Sequence, residues 1–100
     1  MFIDTQDLTA RVFNAEIGQV FTAETIPDPV QLRLHKLVEG KEANSSRRTP
    51  FSLIFTTPMN VLLLEAQYRL KSASGREYML YLSPIVSPGG DLRHYQAQFN

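Results

Sequence analysis

Apolar and polar side chains alternate over several stretches of this chain, and that two-residue rhythm predicts half-buried β-strands. Val30, Leu32 and Leu34 share one parity, while Gln31, Arg33 and His35 share the other. Leu37 breaks the phase; a bulge near Lys36 would return it to the core, and a surface-facing Leu37 is equally compatible with the letters. Phe51, Leu53 and Phe55 alternate with Ser52, Ile54 and Thr56 in a second strand. A third runs from Leu62 to Leu70, with Leu64, Ala66, Tyr68 and Leu70 on one face and Glu65, Gln67, Arg69 and Lys71 on the other. Tyr78 to Val86 is apolar on both parities, as in a strand covered on both faces. Tyr95, Ala97 and Phe99 alternate with His94, Gln96 and Gln98 in the last.

The period differs near the start. Leu8, Val12 and Phe13 recur at helical spacing, which predicts one short helix over Thr5–Asn14 with Thr5 and Asp7 as N-terminal caps. Beyond Gly18, Val20-Phe21-Thr22 reads as a brief strand, closed by Ile26-Pro27-Asp28-Pro29. Glu39 to Thr49 has no apolar period and predicts a solvated loop. Ala73-Ser74-Gly75-Arg76 and Ser87-Pro88-Gly89-Gly90-Asp91 have turn chemistry. The fold expected is mainly β: a small antiparallel β-sandwich or open barrel of about five to seven strands, with the helix plugging one end or covering one face. Tyr68, Tyr78, Tyr95, Phe51, Phe55, Phe99 and Leu80 would share its core.

Composition narrows the picture without adding a mechanism. At 100 residues, 43% hydrophobic and 20% charged, residues 1–100 make one globular domain with one core. Lys plus Arg and Asp plus Glu are 10 each, so no global field draws the chain to nucleic acid or to an anionic membrane. The absence of cysteine removes disulfides, thiolate metal sites and a thiol nucleophile. With no basic-then-apolar leader near Met1 and no apolar run of bilayer length, a cytoplasmic protein without membrane insertion is expected. Asn44-Ser45-Ser46 fits a glycosylation acceptor, but reads more simply as a polar loop.

Candidate chemistry is sparse. His35 and His94 are the only histidines, and neither has a second ligand at the short spacing of a local metal site. The carboxylates are dispersed, Ser83 lacks a glycine-flanked nucleophile turn, and Gly89-Gly90 precedes no helix. No catalytic residue, metal or cofactor is therefore assigned, and a non-enzymatic protein is expected. Lys41, Arg47 and Arg48 form the one candidate basic patch, although Glu39 and Glu42 share the loop and no aromatics interleave to stack bases. Apolar surplus is the more useful anomaly. Ile54, Met79, Tyr81 and Ile85, with Val61-Leu62-Leu63, exceed what one sheet face needs, so they fill a second core layer or form a partner interface.

Pro50-Phe51-Ser52-Leu53-Ile54-Phe55, Gln67-Tyr68-Arg69-Leu70, Leu80-Tyr81-Leu82-Ser83-Pro84-Ile85, the terminal Tyr95-Gln96-Ala97-Gln98-Phe99-Asn100 and the early Gly18-Gln19-Val20-Phe21 together carry a resemblance. Over nearly its whole length the chain resembles a family of short bacterial proteins classed as a domain of unknown function. Those motifs are strand and turn residues, specific for fold and silent on mechanism. The resemblance implies an accessory or structural part of a phage-tail-like assembly and brings no catalytic residue with it. The function expected is a structural or protein-interaction subunit acting through Tyr81 and Ile85 on itself or a protein partner; a small-molecule or glycan-binding β module is the alternative.

Overall fold

The computed structural model describes residues 10–25, 28–40 and 50–99. They form a short helix α1 (Ala10–Asn14) and six strands: β1 (Val20–Ala23), β2 (Val30–Glu39), β3 (Phe51–Pro58), β4 (Ala66–Ser72), β5 (Glu77–Ile85) and β6 (Leu92–Phe99). All pairings are antiparallel, and the order β1-β2-β3-β6-β5-β4 closes on itself when Phe21–Ala23 pairs with Leu70–Ser72. The chain is thus a barrel, closed rather than open. Closure removes the exposed sheet edges that an open sandwich of this size would present.

Alternation places the core as the sequence predicts. Leu32 and Leu34, Phe51, Leu53 and Phe55, Tyr78, Leu80 and Leu82, and Tyr95, Ala97 and Phe99 all point inward and are buried. Tyr68 only half enters this core; its hydroxyl leaves to donate to Leu64 O at 2.6 Å. In β2 the register shifts between Leu34 and Lys36, so His35 is the extra residue of a bulge and Leu37 returns to pack against the core. The hairpin between β4 and β5 turns on Gly75, whose φ of 94° is available to glycine at no steric cost. Ser72 N donates to Arg76 O and Gly75 N to Ser72 O, which closes the turn.

Two expectations need correction. β4 begins at Ala66, not at Leu62, and Leu64 is 72% exposed whereas Leu63 is buried. Residues 61–65 belong to no ladder, so the two-residue phase does not reach back through them; Leu63 is fixed instead by its N–H donating to Tyr95 Oη at 3.0 Å. Nor is β5 covered on both faces. Its outward residues Met79 and Ile85 are half-buried and Tyr81 is 53% exposed, because no described element packs on the outside of the barrel over that strand. The predicted helix is seen from Ala10 to Asn14; Thr5, Asp7 and Leu8 lie outside the described residues. No helix among the described residues is long and apolar enough to cross a membrane.

Candidate functional site

Antiparallel closure gives the barrel two rims of different character. The helix rim gathers α1, the ends of β2 and β6, the starts of β1, β3 and β5, and the β4–β5 hairpin. β5 and β6 pair here least: their ladder is Ser83–Ile85 on His94–Gln96, at the far end. Phe13 fills the resulting gap, with its ring 5.0 Å from Tyr78 of β5, 5.5 Å from Phe99 of β6 and 6.1 Å from Phe51. Phe51 and Phe99 stack beside it at 4.6 Å.

Glu16 seals the same rim. Its side chain is 3% exposed, and a carboxylate there demands hydrogen-bond donors. Ser72 Oγ donates to Oε1 at 2.9 Å, while Ser74 Oγ and Tyr78 Oη donate to Oε2 at 3.0 and 3.1 Å. Each donor belongs to β4, β5 or the hairpin between them, so the network ties α1 to the barrel wall. Three hydroxyls that donate to one carboxylate leave it little capacity for a substrate. We read this cluster as a structural clasp. Burial, followed by the charge and hydrogen bond of Glu16, pushes the Tyr78 phenol above its ordinary value of 10.0, with Arg76 pulling weakly the other way. A raised phenol pKa keeps its full stabilising contribution below the unfolded value and loses it as pH climbs through the folded one. Stability should therefore fall as pH rises above about 10, more steeply than in Tyr78→Phe; parallel slopes in alkaline chemical unfolding would contradict this.

The opposite, open rim is formed by Ala23, Val30, Pro58, Ala66, Ile85 and Leu92 and the segments between them. Here apolar side chains meet solvent: Leu62 is 61% exposed, and Met59, Leu64, Val86 and Leu92 are exposed with it. Shallow depressions lie beside Leu92, Leu62 and Leu64. One is lined by Pro58 and Leu92 beside Gln31, the next by Pro58 and Val61 with Pro29 and Val30, and the last by Pro29, Val30, Leu62 and Leu64 with Asp28 at its side. The connecting segments 24–29, 59–65 and 86–91 contain Glu24, Asp28, Glu65 and Asp91 and no lysine or arginine. Among the described residues, Arg33 lines the first depression with its guanidinium donating to Gly18 O, and two further arginines reach this rim from the strands. Arg69 lies 3.6 Å from Glu24, and Arg93 Nε donates to Met59 O at 2.8 Å. Glu65 accepts from Tyr81 Oη at 2.6 Å, which raises the Tyr81 phenol above its ordinary value.

The residues singled out from sequence do not converge. Ile54 is buried on the outer surface of β3, level with Gln96, so it belongs to this chain's own packing. Met79 and Tyr81 lie together on β5, opposite Arg69 and Gln67 of β4, while Ile85 sits farther along at the open rim opposite His94. Lys41, Arg47 and Arg48 lie outside the described residues. Sequence reading divides the stretch after Pro58, with Leu64 on a strand face and Val61-Leu62-Leu63 in the apolar surplus; the structure exposes Met59, Leu62 and Leu64 together at the open rim and buries Leu63.

The histidines do meet. β2 and β6 flank β3, and the His35 bulge brings its ring 6.1 Å from that of His94, at 88°. Thr56 and Ile54 lie between them in register and are buried on this face. His94 Nδ1 has no hydrogen-bond partner among the described residues. No group of three histidine, aspartate or glutamate side chains that could hold a metal occurs among the described residues.

Neither a curated protein nor a solved structure matches this chain. Its strand and turn motifs have a family behind them: a model matches residues 8–99, from just before α1 to the end of β6, and the chain belongs to the family described as Domain of unknown function (DUF6916).

Proposed function

We propose that this chain is a non-enzymatic interaction subunit that docks a protein partner through the open rim of its barrel. One observation carries the reading: apolar side chains exposed to solvent cluster at the rim that no described residue plugs, while the other rim is closed by Phe13 and Glu16. An apolar patch rimmed by polar groups on a small domain is the usual mark of an interface. Tyr81 and Ile85 extend that surface along β5. The buried carboxylate supports the non-catalytic part of the reading, since its hydroxyl partners occupy it. An accessory place in a multi-protein assembly, phage-tail-like among others, is the setting suggested by the family resemblance, and association with further copies belongs to the same reading.

Photo-crosslinking in the source cell tests it. A benzoylphenylalanine at Leu64, on the open rim, should give a discrete adduct, and one at Val38, exposed on β2 near the helix rim, should give none. Equal adducts from both positions, or none from Leu64, would refute the proposal.

A further inference from the structure

We infer that the segment received by the open rim is cationic as well as apolar: a stretch of partner protein in which lysine or arginine flanks large aliphatic or aromatic residues. The inference rests on the docking role proposed above and adds the chemistry of the partner. Its basis is the charge of the rim. Glu24, Asp28, Glu65 and Asp91 occupy the three segments that also carry Met59, Leu62, Leu64 and Val86, and no lysine or arginine shares those segments. The cations that reach the rim and its depressions among the described residues are engaged, Arg69 with Glu24, Arg93 with the Met59 carbonyl, and Arg33, beside His35 in the first depression, with the Gly18 carbonyl. Asp28 and Asp91 have no ion pair among the described residues.

Placement matters more than number. Asp28 lines the same depression as Pro29, Val30, Leu62 and Leu64, so an apolar side chain seated there leaves a neighbouring ammonium or guanidinium beside a carboxylate. Glu65 follows Leu64 in the chain, and its carboxylate accepts from Tyr81 Oη. Complementary charge around an apolar centre sets approach rate and selects partners. The same carboxylates repel phosphate, so the rim disfavours nucleic acid and anionic bilayers, the other two surfaces an exposed apolar patch invites.

The test uses the full chain and three probes: a fluorescein-labelled amphipathic Leu/Lys peptide, its Leu/Glu counterpart, and vesicles of phosphatidylcholine mixed with phosphatidylglycerol. The Leu/Lys peptide should bind saturably, move the amide resonances of Thr22, Val30 and Leu62, and weaken as salt is raised. The Asp28→Lys/Asp91→Lys variant should lose about tenfold in affinity, and Asp28→Asn/Asp91→Asn a smaller factor. Arg11→Glu, on the opposite rim, should change nothing. Binding of the Leu/Glu peptide to the open rim in preference to Leu/Lys overturns the charge assignment and leaves the docking role standing. Vesicle binding, or self-association abolished by the Asp28 and Asp91 changes, overturns the assignment by naming another occupant. If no probe binds and the Leu64 crosslinker is also silent, both readings fall.

Discussion

Phe13→Ala should destabilise the chain by about 3–5 kcal/mol, the cost of truncating a fully buried aromatic whose cavity cannot collapse. The ring is 0% exposed and touches Tyr78, Phe99 and Phe51. It is the one buried side chain of a five-residue helix, far too short to persist by its own hydrogen bonds. Without that anchor α1 should detach, and the gap between β5 and β6 would admit water to the stacked pair Phe51 and Phe99. Urea unfolding measures the loss, and a cost below about 1 kcal/mol would mean that the helix is an ornament on a self-sufficient barrel. Phe13→Leu should recover part of the loss, because volume at the plug is what the barrel lacks.

Glu16→Ala should cost about 1–3 kcal/mol by a different route. Ser72, Ser74 and Tyr78 would lose their shared acceptor, and Ser72 and Tyr78 are themselves buried. A buried donor left without an acceptor loses more than its hydrogen bond is worth in water. Glu16→Gln should cost less, since the amide oxygen still accepts while its NH2 meets donors rather than acceptors. Glu16→Ala also has a spectroscopic signature. Removing the Glu16 charge and hydrogen bond should lower the Tyr78 phenol pKa toward its ordinary value, leaving the part caused by burial. Tyrosinate absorbance on alkaline titration reads this directly, and an unmoved Tyr78 transition would show that Glu16 does not engage it.

These two residues mark where the sequence is and is not legible. The strands announce themselves because a side chain every second position must choose between core and water, and Phe51, Leu53 and Phe55 or Tyr95, Ala97 and Phe99 leave no doubt about the choice. Closure of those strands into a barrel is written in no local pattern; it depends on Phe21–Ala23 meeting Leu70–Ser72 across half the chain. Glu16 reads as an ordinary surface acid, since its three partners are more than fifty positions away. His35 and His94 share an outward parity, but only β3 lying between their strands brings the rings together. Ile54, Met79, Tyr81 and Ile85 were recognisable as surplus, and the structure divides them between packing and surface. The Leu62–Leu64 run misleads by phase: a period read back from β4 assigns Leu64 to the core, whereas the turn through residues 61–65 buries Leu63.

The helix rim is thus built to stay shut, and the open rim presents carboxylates around uncovered aliphatic side chains. Hydrogen–deuterium exchange on the chain within its native complex, set against the chain alone, tests that asymmetry most directly. Protection should appear over residues 24–30, 58–66 and 86–92 with α1 and the Ala73–Arg76 hairpin unchanged. Protection confined to α1 and that hairpin would contradict it.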